Sequence, residues 1–180
     1  MEEIRVRWIA QLTELIQAIS QGFSGFFQTM GFAGEVKLGH GTDPNDFFSY
    51  GIEVLVKFRQ NVELQKLDPF QQSGGERSVS TALYMLALQH LTKVPFRCVD
   101  EINQGMDAVN ERRVFDMLIE TSVRKNTAQY FLLTPKLLPD LNYDHGVTVL
   151  TVYNGDKMCD YPEWQNDEFL SQQEETFSQA

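Results

Sequence analysis

Apolar residues recur every three or four positions along the first twenty residues. The resulting stripe is formed by four residues at spacings of 4, 3 and 4, which is typical of one face of a helix: Trp8, Leu12, Leu15 and Ile19. Two glycines and two serines in the range 20–25 then predict a turn after this helix. The stripe fits an amphipathic helix on the protein's own core or the end of a coiled coil, and two heptads do not separate these alternatives.

Between residues 35 and 67 the pattern changes to that of strands. Residues 35–38 are short and strand-like, and residues 52–59 alternate apolar and polar positions as a half-buried strand does. The segment between them is dense in turn formers, GHGTDPN. We therefore predict an antiparallel hairpin with a long loop, and residues 61–67 are a candidate third strand.

The second half of the chain alternates helix and strand patterns. Helices are predicted over 75–91 and 107–125. The expected apolar positions are Val79, Leu83, Leu86 and His90 or Leu91 in the first helix, and Val114, Leu118 and Ile119 in the second. Strands are predicted over 96–99, 130–133 and 147–152. The first of these strands is expected to be buried and to deliver two carboxylates at its C-terminal end. This order of elements predicts an α/β fold, with a mixed sheet whose central strands are mainly parallel.

Composition limits the classes of function. Of 180 residues 42% are hydrophobic, enough for a sizeable core, and no apolar run approaches the roughly 18 residues of a membrane span. Cys98 and Cys159 lie 61 positions apart, which argues against a disulfide framework or a zinc site. The net charge is -10, but six acids and no Lys or Arg in the range 160–180 leave only -4 for the rest. Acidity is therefore mainly a property of the C-terminal tail.

The first candidate site is the glycine-rich start of the predicted helix, Ser73-Gly74-Gly75. Backbone amides at a helix start are unsatisfied donors at the positive end of the helix dipole, so they suit an anion such as a phosphate. Two glycines would let that anion approach closely, and the Ser73 hydroxyl could donate as well. The alternative is a plain N-cap and turn without a ligand.

The second candidate site is Asp100-Glu101, at the end of an apolar run and 25 residues after Gly75. A carboxylate in this place could hold Mg²⁺, and its neighbour could accept a proton from an attacking water. Such a pair also begins ordinary loops. The segment Asn103-Gln104-Gly105-Met106-Asp107, which follows closely and leads into a helix, strengthens the catalytic interpretation.

Together these segments resemble a known family. The order SGGE, FRCVDE and GMD is similar to the signature motif, Walker B and D-loop of an ABC-type ATPase head of the structural maintenance of chromosomes (SMC) class. The resemblance runs from about residue 22 to residue 164. Longer strings resemble the fifth-subunit branch of that family, whose partner is the sixth SMC subunit in a eukaryotic DNA-repair complex: QSGGERSVSTALYMLALQHL, PFRCVDEINQGMDAVNERRVF and QYFLLTPKLLPDL.

The resemblance implies a set of site residues. In that family ATP lies between two heads, one of which supplies the P-loop while the other supplies the signature motif. Asp100 would then serve Mg²⁺, and Glu101 would be the general base that activates water. Thr134 stands where ABC transporters carry a switch histidine. The implied nucleotide-binding residues are six in all: Gln72, Ser73, Gly74, Gly75, Asp107 and Thr134.

The sequence departs from a complete head in one respect. A P-loop needs Gly-x-x-x-x-Gly-Lys-Ser/Thr, and the chain contains no Gly-Lys pair. It therefore resembles the C-terminal lobe of a head, for which we expect three parts: the end of a coiled-coil helix (1–21), the lobe (22–160) and a partly disordered acidic tail (161–180). Alone, such a lobe should neither bind ATP tightly nor hydrolyse it.

The resemblance also implies partners and a location. The partners are the protein's own N-terminal head lobe, the sixth SMC subunit, a kleisin and other non-SMC subunits, and DNA held by the assembled complex; no membrane is involved. The location would be the nucleus, on chromosomes, with roles in DNA repair and recombination. Two alternatives stay open: a non-catalytic structural or interaction lobe, and the head of a related DNA-repair ATPase.

Overall fold

The computed structural model describes residues 2–43, 45–124, 127–136, 143 and 146–152. The predicted acidic tail lies outside these residues. The chain divides into two compact units, residues 1–147 and 148–180, and the first contains every described helix and strand. Its elements are α1 (Glu2–Thr29), β1 (Ala33–Gly39), β2 (Gly51–Lys57), β3 (Gln65–Lys66), α2 (Gly74–Gln89), β4 (Phe96–Asp100), α3 (Ala108–Ser122) and β5 (Gln129–Leu133).

Helix α1 passes through the stretch where the sequence predicted a turn, so that prediction is wrong. The small residues there serve packing instead. The Ser20 hydroxyl accepts from the amide of Val36 at 3.0 Å, and the Ser24 hydroxyl donates to the carbonyl of Gly34 at 2.6 Å. Tertiary contacts of this kind outweigh the weak helix propensity of serine and glycine. They also occupy backbone groups at the free edge of β1.

The buried face of α1 differs in part from the predicted stripe. Ile16, Ile19, Phe23 and Phe27 are at most 4% exposed, whereas Leu15, which belonged to the predicted stripe, is 46% exposed. Trp8 contacts the rings of two residues from the β1–β2 connection edge-on. The C-terminal half of α1 therefore belongs to the core, and its N-terminal half is largely exposed.

Strands β1, β2 and β3 form an antiparallel sheet in that order. Val36 of β1 lies opposite Val54 of β2, and the long connection between the strands contains a short 3₁₀ turn, Phe47–Ser49. The predicted hairpin is thus confirmed. The candidate third strand is confirmed only for Gln65–Lys66, which pair with β2.

The core lies between α1, the antiparallel sheet and α2, and α3 packs on α2. The apolar faces predicted for α2 and α3 are confirmed as buried except at the end of α2, where His90 and Leu91 are exposed. The two faces supply residues that are at most 9% exposed: Val79, Leu83, Leu86, Val114, Leu118 and Ile119. A side chain from β4 holds the far end of α2, because the Arg97 guanidinium donates to the carbonyls of Gln89 and Thr92.

Strands β4 and β5 form a separate parallel pair, with Cys98 opposite Phe131. The expectation of a buried β4 is wrong for the described part of the chain. Phe96 is 59% exposed, because no described element covers the face of β4–β5 that carries it. The predicted strand at 147–152 is also wrong: these residues form no ladder with any described strand. The predicted mixed α/β class is confirmed, although the described strands form an antiparallel sheet and a separate parallel pair where one mixed sheet was expected.

Within the described ranges, no helix is both long enough and apolar enough to cross a lipid bilayer.

Candidate functional site

Helix α2 begins with a capping box at Ser73. The Ser73 hydroxyl accepts from the amide of Glu76 at 3.2 Å, and the Glu76 carboxylate accepts from the amide of Ser73 at 2.8 Å. The ordinary N-cap that the sequence left open as an alternative is therefore present. It does not exclude an anion, since a hydroxyl that accepts one hydrogen bond retains its own proton for donation.

The two glycines after Ser73 form the first turn of α2. At the first turn of a helix the amides have no helix carbonyl before them in the chain, so α2 itself provides no acceptor for the amides of these glycines. Gly74 is exposed, and a Cβ placed on it would meet nothing within 4 Å. On Gly75 a Cβ would lie 3.8 Å from the carbonyl of Gly105. The start of α2 thus faces open space at Gly74 and the 101–107 loop at Gly75.

Gln72 is buried, unlike the other five predicted nucleotide-binding residues. It is 8% exposed, and its side-chain carbonyl accepts from the amide of Asp68 at 2.7 Å. This contact stabilises the turn that leads into α2, and the side chain borders a small pocket beside β2. The structure gives Gln72 a structural role, and its nucleotide-binding role stays a prediction.

The carboxyl ends of β4 and β5 bring three predicted residues to one edge. Asp100 is opposite Leu133, and the amide of Glu101 donates to the carbonyl of Leu133 at 2.9 Å. Thr134 follows directly, and its hydroxyl exchanges 3.3 Å hydrogen bonds with the backbone of Lys136. Asp100, Glu101 and Thr134 are all exposed at this edge. A parallel pair of strands thus creates a cluster that no single stretch of sequence contains.

A cleft of about 510 Å³ separates α2 from the loop after β4. Gly74, Ser78 and Thr81 line it from α2, and Glu101 and Gly105 line it from the loop. The structure therefore brings the glycine-rich helix start and the predicted general base to the same cleft. In the sequence, Gly74 and Glu101 are 27 positions apart.

Asp107 is the N-cap of α3. Its carboxylate accepts from the amides of Val109 and Asn110 at 3.1 Å and from the side-chain amide of Asn110 at 2.6 Å. These donors, the Asn110 amide foremost, hold the pKa of Asp107 below its usual value. Asp107 is exposed, so its carboxylate is ionised and accessible near neutrality.

The residues at the edge suit the ligands that the sequence implied. In the described part of the chain, no three His, Cys, Asp or Glu side chains converge as a complete metal site. Mg²⁺ at a nucleotide site is held by one or two carboxylates together with phosphate oxygens and water, so one exposed Asp100 fits such an ion. The open first turn of α2 fits a phosphate.

Sequence reasoning missed the buried contact between Asn103 and Glu111. The Asn103 side-chain amide donates to the Glu111 carboxylate at 2.7 Å, and the two residues are 3% and 4% exposed. Hydropathy places both on the surface, and no spacing rule pairs a loop residue with one eight positions later. Only the course of the loop reveals this contact.

Comparison with known proteins adds relatives over most of the chain. No protein-family model matches it. Over 155 residues it is 49% identical to Structural maintenance of chromosomes protein 5 of Arabidopsis thaliana and, in a separate match, to that of Schizosaccharomyces pombe. Each match covers 86% of this chain but 14% of the relative. Structural maintenance of chromosomes protein 6 of Homo sapiens is 41% identical over 69 residues, 38% of this chain and 6% of the relative.

Solved structures share the fold. One, from work on ATP-driven dimerization and DNA-stimulated activation of SMC ATPases, aligns with a TM-score of 0.70 at 22% identity, over 93% of this chain and 96% of the other. A Pyrococcus furiosus Smc head with an extended coiled coil, bound to the C-terminal domain of ScpA, aligns with a TM-score of 0.52 at 26% identity, over 73% and 33%.

The chain spans about one seventh of the length of the relatives named first. It belongs to the structural maintenance of chromosomes family, and its fold is that of an SMC ABC-type ATPase head.

Proposed function

We propose that this chain is the C-terminal lobe of an SMC ATPase head, acting in ATP-dependent head engagement and hydrolysis within a DNA-repair and chromosome-maintenance complex. It supplies a signature motif at the start of α2, a Walker B pair at Asp100 and Glu101, and a D-loop at Asp107. The P-loop comes from the protein's own N-terminal lobe, because the chain has no Gly-Lys pair.

The observation that carries this proposal is the cleft with the helix start on one side and Glu101 on the other. An exposed carboxylate at the end of a parallel strand can accept a proton from water, and exposed amides at a helix start can donate to phosphate oxygens. Neither group alone is specific. Both are exposed beside one cleft in a chain with the SMC head fold, which favours phosphoryl transfer over a purely structural role. In the proposed arrangement Glu101 serves the nucleotide of its own head, and the start of α2 serves the nucleotide bound by the opposite head.

Each residue then has a distinct task. Bound MgATP supplies the phosphoanhydride bond that is broken. Glu101 accepts the proton of the attacking water, while Asp100 holds the cation. The amides of Gly74 and Gly75 and the Ser73 hydroxyl donate to phosphate bound by the opposite head. Asp107 lies in the D-loop at the interface between the two heads. Thr134 takes the place of the switch histidine at the edge of β4–β5.

The exposed face of β4–β5 supports the need for a second lobe. Phe96, Phe131 and Leu133 are 59%, 45% and 53% exposed. Apolar groups on neighbouring strands are normally covered. The N-terminal lobe would cover this face and complete the sheet.

The proposed partners follow the relatives. Similarity to SMC protein 6 supports a second SMC subunit as the opposite head. A Smc head with ScpA bound supports a kleisin on this lobe. Other non-SMC subunits, DNA above the engaged heads, and a location in the nucleus on chromosomes complete the proposal.

The test compares Glu101→Gln with the unaltered protein in the full-length chain assembled with its partner SMC subunit. The amide cannot accept the proton, so turnover should fall by about a hundredfold or more while ATP-dependent engagement persists. Phosphate release measures turnover, and cysteine cross-linking between heads measures engagement. Unchanged turnover would favour the alternative of a non-catalytic interaction lobe. The isolated 180-residue chain should show no turnover.

A second variant tests the signature assignment. Ser73→Arg places a long side chain at the open start of α2 and should block engagement with ATP. Asn61→Arg adds the same charge on an exposed loop and serves as the matched control. Equal cross-linking in the two variants would contradict the assignment of Ser73.

A further inference from the structure

The loop from Glu101 to Asp107 is held at both ends by rigid elements. At its start the amide of Glu101 bonds to β5, and at its end Asp107 caps α3. Between these ends lies strained backbone. Glu101 has a φ of 54°, and among the described residues it is the one non-glycine residue with a positive φ. Gly105 has a φ of 76°.

This conformation needs support from outside the loop. A residue with a side chain does not favour the left-handed region, so neighbouring contacts must hold it there. Within the loop, the amide of Gln104 donates to the carbonyl of Glu101 at 3.1 Å. That bond closes a turn but does not fix the turn relative to the helices.

The buried pair of Asn103 and Glu111 makes that connection. Asn103 lies at the middle of the loop, and Glu111 lies in the first turn of α3. The carboxylate offers only acceptors, so the amide nitrogen of Asn103 must face it. Because water is excluded from both residues, the hydrogen bond between them is not replaced cheaply when it breaks.

We propose that Asn103 and Glu111 are positioning residues for ATP turnover, and that their buried hydrogen bond sets the loop conformation that places the Glu101 carboxylate. This inference rests on the proposed function of Glu101. Both residues are buried, so we expect their effect to be on the rate of the chemical step and not on nucleotide affinity.

The experiment reverses the polarity of the pair in the full-length chain assembled with its partner SMC subunit. Asn103→Asp sets two carboxylates against each other and should lower kcat at least tenfold, with KM for ATP changed by less than twofold. Adding Glu111→Gln restores a donor and an acceptor in reversed order, so the double variant should recover to within threefold. Glu111→Gln alone keeps an acceptor and should stay within threefold.

Two controls separate positioning from folding. Glu120→Gln changes an exposed carboxylate on the same helix and should alter neither kcat nor KM. Thermal melting reports whether each variant is folded. If Asn103→Asp does not fold, the milder Asn103→Ser replaces it, and we expect at least a threefold loss of kcat.

The outcomes also separate this inference from the proposed function. The positioning role is overturned if a folded Asn103→Asp keeps kcat within threefold of the unaltered protein, or if a folded Asn103→Ser keeps it within twofold. It is also overturned if the double variant with the reversed pair is as impaired as Asn103→Asp. Loss of turnover in Glu101→Gln together with normal Asn103→Asp overturns the positioning role alone. Turnover that persists in Glu101→Gln overturns both.

Discussion

The molecule contrasts a closed region with an open one. The closed region consists of α1, β1–β3 and α2, and in it Phe23 and Phe27 are fully buried. The open region consists of β4, the 101–107 loop and β5, where Phe131 is 45% exposed. Both regions are rich in aromatic residues. The difference shows that apolar composition alone does not close a core, because a sheet of two parallel strands needs further elements on its free face and edges.

The closed region therefore should carry most of the stability that this chain has by itself. The open region carries the residues of the proposed chemistry. Exposed carboxylates at the end of a two-stranded sheet fit the proposed site that is shared with another lobe. Four comparisons of variants test this contrast, in order of decreasing effect.

The largest contrast is between two phenylalanines. Phe27→Ala removes a fully buried ring and should lower the free energy of unfolding by about 3–5 kcal/mol. Phe131→Ala removes a half-exposed ring and should cost about 1 kcal/mol or less. Urea unfolding followed by circular dichroism gives both values. Equal losses would contradict the division into closed and open regions.

Two glycines give a smaller contrast. A Cβ at Gly34 would lie 2.7 and 2.8 Å from atoms of the Phe23 and Phe27 rings, so Gly34→Ala should destabilise by about 1–3 kcal/mol through overpacking. Gly105→Ala meets a positive φ and the Ser78 hydroxyl at 2.9 Å, and should cost about 1–2 kcal/mol. The control is Gly25→Ala in α1, which meets nothing within 4 Å and should stabilise slightly. Unfolding midpoints in urea should follow this order.

The capping box at the start of α2 should contribute less. Ser73→Ala removes the acceptor for the Glu76 amide and should cost about 1 kcal/mol. The change belongs to the closed region, since α2 packs on α1. Ser122→Ala at the end of α3 is the control and should change stability by less than about 0.5 kcal/mol. An equal change in melting temperature in Ser73→Ala and Ser122→Ala would contradict the assignment of Ser73 as the cap.

The smallest expected effect depends on pH. Hydrogen bonds lower the pKa of Asp107 in the folded state, so its contribution is present above the pKa of the unfolded chain and is lost as pH falls through the folded pKa. Asp107→Asn keeps a capping oxygen without the charge. Its stability should therefore fall slightly below that of the unaltered chain at pH 7, and this gap should close as pH falls below about 4. If the difference in stability between the two chains widened in acid, the prediction that folding lowers the pKa of Asp107 would be contradicted. Urea titrations at both pH values measure it.

Local patterns predicted much of the fold. The spacing of Val79, Leu83 and Leu86 gave the buried face of α2, and the alternation around Val54 gave a strand of the hairpin. The turn predicted at residues 20–25 was wrong because the hydrogen bonds of Ser20 and Ser24 to β1 are invisible to propensity. The predicted strand at 147–152 was wrong because a strand needs a partner, which sequence alternation does not guarantee.

The candidate site, like the fold, was predictable from the sequence only in part. Its residue types at Ser73, Asp100 and Glu101 and their order are readable from the chain. The capping box, the strained backbone of Glu101 and the buried Asn103 are not. These features depend on where a loop runs relative to a helix, and periodicity contains no such information.

By itself the sequence determined the order of helices and strands as far as β5, the resemblance to the motifs of an SMC head and the lack of a P-loop, since these depend on residue type and spacing. Only the tertiary structure decided that Gly74 and Glu101 share a cleft, that Asn103 bonds to Glu111, and that no described element covers one face of β4–β5. Contacts between residues far apart in the chain fix these features, because each depends on how separate elements pack and not on any one element's pattern.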